Sequence, residues 1–186
     1  MKIFKLSLML FSMVFAGCLI TYAKDPIPMP ERPKNVPLEA RWSEISAIWS
    51  LGSDVEGNWT LWFQNGTFLH REFIVKKDYK KSIHYHKNGK IFRIGQFRYF
   101  HDTYYNEDDD GSLVGWLGIG KWKEYDEDGN LIHEWCETPN ENGAGSADKC
   151  NMEMFYDKDG SIKKKEENRY LCKYGCDELE YVDPIK

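Results

Sequence analysis

Short runs of alternating apolar and polar residues, each broken at an Asn-Gly or Asp-Gly pair, recur along most of the chain. They read Trp62-Phe-Gln-Asn-Gly66, Tyr85-His-Lys-Asn-Gly89, Tyr125-Asp-Glu-Asp-Gly129 and Tyr156-Asp-Lys-Asp-Gly160. A fifth copy ends at Asp110-Gly111, with its aromatic, Phe100, displaced upstream by an acidic insertion. Two places after each Gly stands an apolar residue: Phe68, Ile91, Leu113, Leu131 and Ile162. Asx-Gly between apolar runs is the strongest short-range hairpin signal, because these residues tolerate positive φ. The pattern therefore predicts successive β-hairpins. A three-residue loop with Gly in a bulge would pair the aromatic four before Gly with the apolar residue two after it. A two-residue turn would pair it with the residue three after, which fails at Lys163 but fits Leu69, Phe92, Val114 and Ile132.

The turn at Gly129 also has carboxylates at calcium-loop spacing. With Gly129 at position 6, Glu124, Asp126 and Asp128 take the first three ligand positions and Leu131 the apolar one. The closing position falls on Trp135, which has no oxygen to give, so the hairpin reading is preferred. His84 and His86 have the alternate spacing that could bring two imidazoles to one ion on a strand, but no third ligand is identifiable. Asp108-Asp109-Asp110 reads as a solvated acidic loop. No metal or cofactor is expected.

The turn glycines step by 23, 22, 18 and 31 residues, and a period of about 23 fits one hairpin per unit of a repeat sheet. Three are preceded by a second mark: Gly57-Asn-Trp59, Gly95-Gln-Phe97 and Gly120-Lys-Trp122. With Gly-x-Trp-x-x-Tyr-x-x-Asp-Gly-x-Leu, as in "GKWKEYDEDGNLIHE", the chain resembles the MORN-repeat variant family, well over residues 57–134 and more loosely over 151–165. The resemblance implies an all-β meander of antiparallel hairpins forming an extended twisted sheet. Trp122 and Tyr125, like Trp59 and Trp62, are three apart, an odd offset that puts them on opposite faces of a regular strand. Residues 38–52 fit a helical stripe (Leu38, Trp42, Ile45, Trp49) or a strand (Ile45, Ala47, Trp49, Leu51); the strand is preferred.

The amino terminus has a targeting pattern. Lys2 and Lys5 precede an apolar run from Leu6 to Phe15, of signal-peptide length and too short to span a bilayer. Phe15-Ala16-Gly17-Cys18 resembles the lipobox of bacterial lipoproteins, which implies lipidation of Cys18; Thr21-Tyr22-Ala23 is a competing ordinary cleavage site. The expected organisation is thus a signal segment over 1–23, a Pro-rich linker over 24–37 and one β-repeat domain over 38–186. Loss of Lys2 and Lys5 takes the net charge from −5 to −7, which argues against nucleic acid, a partner that needs a basic footprint. In an oxidising envelope, Cys136, Cys150, Cys172 and Cys176 are expected as disulfides. The shortest loops pair Cys136 with Cys150 and Cys172 with Cys176, and the "LCKYGCDELEYVDPIK" segment would then be an irregular stapled cap on the sheet edge.

No nucleophile elbow, phosphate loop or His-Glu-x-x-His helix occurs, so no catalytic residue is nominated. The expected binding surface is aromatic: Trp59, Trp62, Tyr85, Tyr99, Trp122 and Tyr125. The family resemblance implies an antitoxin-like protein. With export, that becomes a non-catalytic immunity protein of the bacterial periplasm or outer membrane, whose partner is a secreted toxin. A structural or glycan-binding lipoprotein is the alternative.

Overall fold

The computed structural model describes residues 25–54, 56–100, 115–139, 147–178 and 180. The signal segment, Cys18, the Asp108–Asp110 run and the turn at Gly111 lie outside the described residues. Ten strands form one antiparallel sheet in chain order. They are β1 (Arg41–Ser43), β2 (Ile48–Ser53), β3 (Asn58–Phe63), β4 (Phe68–Lys76) and β5 (Tyr79–Tyr85), followed by β6 (Ile91–Phe100), β7 (Gly115–Tyr125), β8 (Leu131–Pro139), β9 (Ala147–Tyr156) and β10 (Ile162–Glu167). No described residue is helical. The all-β repeat meander read from the turn signals is the fold.

The turn chemistry repeats from unit to unit. Gly66, Gly89, Gly129 and Gly160 have φ of 86°, 83°, 88° and 82°. Each donates its N–H to the carbonyl three residues earlier, Phe63, His86, Asp126 or Asp157. That is a type I turn closed by Gly in the left-handed region, the three-residue bulged loop. Trp62 accordingly faces Phe68, Tyr85 faces Ile91, Tyr125 faces Leu131 and Tyr156 faces Ile162. One residue later the register slips in each of these four units, leaving Leu69, Phe92, Ile132 and Lys163 unpaired. An unpaired bulge position can take any side chain, which is why Lys163 is accommodated where its counterparts are apolar.

The two faces of the sheet are built differently. On one, Trp42 and Trp49 are cross-strand partners with centroids 5.2 Å apart, and Trp49 in turn opposes Trp62. Residues 41–53 are therefore a hairpin of strands, with Ala47 turning at φ 55° and Ile45 left in solvent. The Pro-rich segment packs on this end. Val36 and Ala40 join Trp49 and Trp62 in a buried cluster, and the Arg32 guanidinium lies 4.3 Å over the Trp49 ring. Asn35 Nδ2 donates to the Gly66 carbonyl at 2.7 Å. Farther along the same face Phe73, Ile83 and Ile94 form a second cluster, flanked by Tyr85, Ile91 and Tyr125.

The cysteines pair differently from the short-loop expectation: Cys136 with Cys176 (Cα–Cα 5.5 Å) and Cys150 with Cys172 (5.1 Å). Cys136 and Cys150 do oppose each other across β8 and β9. After β10, however, the chain runs back beside β9, where Asn151 N–H donates to the Tyr170 carbonyl and Asn168 N–H to the Asn151 carbonyl. It then crosses the Trp62 face, so Cys172 meets Cys150 before Cys176 meets Cys136. Loop length alone could not anticipate this return. The same strap brings the Asp177 carbonyl to Gln96 Nε2 (2.8 Å) and Glu178 to Lys123 (2.6 Å) and Lys81 (3.7 Å). It thus covers a face from β9 to β5 and does not cap the edge. The edge strand β10 is guarded by its exposed Lys163, Lys164 and Lys165, a charge device that discourages edge-to-edge pairing.

Candidate functional site

The opposite face is a polar and aromatic lattice set by the repeat register. Four residues after the Gly of the four described Asx-Gly turns come His70, Arg93, His133 and Lys164; five before come Leu61, His84, Glu124 and Phe155. The pairing joins these into one row across eight strands: Leu61, His70, His84, Arg93, Glu124, His133, Phe155, Lys164. Directly opposed side chains stand about 4.5–5.5 Å apart at Cβ, within reach of one another.

A chain of polar contacts runs along the centre of the row and leaves it for Glu153 and Lys149. Arg93 pairs with Glu124, its Nε donating to Oε1 at 3.0 Å. Glu124 Oε2 lies 3.3 Å from His133 Nδ1, His133 Nε2 lies 2.9 Å from Glu153 Oε2, and Lys149 Nζ meets that oxygen at 2.5 Å. The His133 ring is stacked between Trp135 (4.5 Å) and Phe155 (4.3 Å). Burial alone would raise the Glu124 carboxyl, but the Arg93 bond and charge, then His133, outweigh it and hold it below the carboxylate range. Glu153 is held low in the same way by Lys149 and His133 against its burial. Glu137 lies beside this chain and goes the other way. Burial raises it, offset in part by the Trp135 indole N–H donated at 2.9 Å.

A second cluster surrounds Glu72. Lys80 Nζ meets Glu72 Oε2 at 2.5 Å and donates to the Asp54 carbonyl at 3.2 Å. His70 Nε2 lies 2.9 Å from Ser82 Oγ and 3.4 Å from Glu72 Oε1. His84 stacks on His70 at 4.0 Å, and burial, reinforced by His70 and Arg93, pushes its pKa down to about 4. The Lys80 ammonium lies against Phe97 (5.0 Å) and Trp116 (4.9 Å). These residues, with Trp59 and Tyr99, line a cleft of about 370 Å³. Between the clusters the Trp122 indole lies on Gly95, where an added Cβ would come within 2.1 Å of the ring.

The six nominated aromatics are divided by this arrangement. Trp59, Tyr99 and Trp122 belong to the lattice face; Trp62, Tyr85 and Tyr125 belong to the strapped face, as the odd offset within each unit requires. His84 and His86 are likewise engaged apart, His86 Nε2 with the Tyr125 carbonyl at 2.9 Å. In the Gly129 turn Asp126 Oδ1 accepts from the backbone N–H of Asp128 and Asn130, while Glu124 turns to Arg93 and His133. The carboxylates with calcium-loop spacing thus serve a turn and an ion chain, and no group of three or more potential metal ligands occurs among the described residues. The sequence reading missed the His70, Arg93, His133 and Lys164 series. Its signal is the fixed step from each Gly, at a position whose residues share polarity and not the apolar character that marks the hairpins.

No family model matches the chain, and no curated protein matches it. Among solved structures the sheet is similar to part of S. aureus TarM, in a mutant complexed with Fondaparinux, alpha-GlcNAc-glycerol and UDP (TM-score 0.35, 10% identity, 66% of this chain and 21% of that chain). A second TarM structure gives a TM-score of 0.34 and 11% identity over the same shares. Neither likeness bears on what this chain does.

Proposed function

We propose that the chain is a non-catalytic recognition module of the bacterial envelope, held there by a lipid on Cys18, and that it acts as an immunity protein by covering a toxin. What carries the reading is the lattice face: a broad single sheet presenting a fixed Arg93–Glu124–His133–Glu153–Lys149 contact chain between aromatic plates. Such a row is preorganised to meet a complementary charge pattern, and electrostatic complementarity supplies specificity and fast encounter more than raw affinity. His133 has both ring nitrogens within hydrogen-bond reach of carboxylates, which with the stacked rings fixes it in place. The family resemblance and the export pattern point the same way.

The test is protection. Cells expressing the full chain should survive the product of the neighbouring toxin gene, and the two proteins should co-purify. Arg93→Ala combined with Lys149→Ala, at the two ends of this contact chain and 38% and 44% exposed, should weaken both effects while leaving the far-ultraviolet dichroism unchanged. Absence of protection and of binding by the wild-type chain would overturn the proposal.

A further inference from the structure

The cleft between β3 and β7 contains an arrangement that the charge row does not use. At this end the sheet curls on the lattice face until Trp116 of β7 reaches the β2–β3 turn, its Cζ2 3.0 Å from where a Cβ on Gly57 would stand. Trp59 and Trp116 thereby wall a shallow gutter, with Phe97 and Tyr99 between them. Tyr99 and Trp116 meet edge to face at 5.2 Å. The floor is the Glu72–Lys80 pair, almost wholly out of solvent at side-chain exposures of 6% and 3%. The cleft, of about 370 Å³, has the size of a small ligand pocket and room for a single ring.

We infer that this gutter is a binding site for a neutral saccharide ring, stacked between Trp59 and Trp116 with its hydroxyls over the Glu72–Lys80 pair. The charges select against an ionic ligand. Glu72 already holds an ammonium tethered by its own chain, and that ammonium also rests on Phe97 and Trp116, so an incoming cation would have to displace it. An incoming anion would meet the Glu72 carboxylate at the same place. A neutral ring disturbs neither charge. Its C–H faces match the flat apolar indoles, and its hydroxyl rim offers both donors and acceptors to a carboxylate and an ammonium fixed side by side. The inference does not rest on the immunity reading, because the gutter lies at the far end of the strands from the Asx-Gly turns.

Titration of the full chain with chitotriose and cellotriose, followed by tryptophan fluorescence and calorimetry, tests it. Sialyllactose and the glucosamine trimer serve as the anionic and cationic comparisons. Saturable binding is expected for at least one neutral trimer and at least tenfold weaker binding for both charged ones. Trp116→Ala and Glu72→Gln should each weaken it at least tenfold, while Ile162→Ala on the far edge strand should leave it unchanged. Trp116→Phe keeps an aromatic wall of smaller area and should give an intermediate loss, which separates lost stacking from lost folding if the alanine variant is unstable. No saturable binding of either neutral trimer, preference for a charged one, or undiminished binding by a folded Trp116 variant would overturn the inference.

Discussion

The stacked pair His70 and His84 ties the stability of the sheet to pH with a definite sign. His84 stands on β5 against the His70 ring, with Arg93 opposite it on β6 and Glu72 the nearby carboxylate. Burial and the two basic neighbours push its pKa from 6.5 down to about 4, while Glu72 pulls weakly the other way. In the fold the ring therefore stays neutral while the unfolded chain takes up a proton. The stabilisation is fully present above the unfolded pKa near 6.5 and is lost as pH falls from there through the folded value near 4. The full linkage is about 3 kcal/mol, and solvent screening of a ring that is not fully buried brings it to roughly 1–2 kcal/mol. Urea unfolding at about pH 7 and about pH 4.5 should show the wild type losing roughly 1–2 kcal/mol more than His84→Gln, which has no titrating ring. Both proteins share the carboxylate titrations, so the difference isolates the imidazole. A ring proton resonance of His84 titrating near pH 6.5, the ordinary value, or parallel losses in the two proteins, would refute the reasoning.

Two glycines should respond to alanine for different reasons. Gly95→Ala drives a Cβ into the Trp122 ring, itself stacked on Trp135 and edged by Phe97. It should cost about 3 kcal/mol in urea unfolding, with a changed near-ultraviolet dichroism. At Gly160 an added Cβ meets nothing within 4 Å, but the residue must hold φ +82°. Gly160→Ala should therefore cost only about 1 kcal/mol, with the tertiary signal intact. Peptide mapping of the oxidised protein should recover Cys136–Cys176 and Cys150–Cys172. Because the second loop is nested in the first, reduction should lower stability by less than the sum of two bridges worth about 3–4 kcal/mol each. Glu153→Gln leaves His133 with a weaker acceptor and Lys149 free to turn to water. Urea unfolding should show that change to cost about 1 kcal/mol.

How much of this was legible in the sequence depends on whether the controlling interaction is local. The left-handed Gly, the residue before it and the aromatic pair around it lie within one hairpin, so the turn type and the pairing of Tyr125 with Leu131 follow from a few residues. The segment 41–53 was less legible: a single strand through Ile45, Ala47, Trp49 and Leu51 was expected, but Ala47 turns the chain and pairs Trp42 with Trp49 across a hairpin. The disulfides are another matter. Their pairing depends on where residues 168–178 travel after the last strand, and that path is fixed by Asn151 at φ 55° and by contacts with β5 to β9. Nothing between two cysteines in the sequence encodes it. The split of the aromatics was implied by the offset of three, yet the cleft was not, because Trp59 and Trp116 come together only when the sheet curls.

The same offset explains why one face carries the charges. Each unit assigns the residues four before and two after Gly to one face, and those five before and four after to the other. Among the described residues, the Pro-rich segment and the stapled strap cover the sheet, and both lie on the Trp62 face. On the other face the described side chains meet sideways, by contacts between strands. At the spacing of opposed residues, like charges destabilise and opposite charges or stacked rings stabilise, each by roughly 0.2–1 kcal/mol. Under that constraint the row can pair opposite charges or stack, and it does both: Arg93 with Glu124, then His133 on Phe155. Reversing one member sets it against the neighbours on both sides. Removing a charge at these positions loses a pair worth a fraction of a kcal/mol, whereas reversing it adds repulsion on both sides, so a reversal is tolerated best when its partners reverse with it.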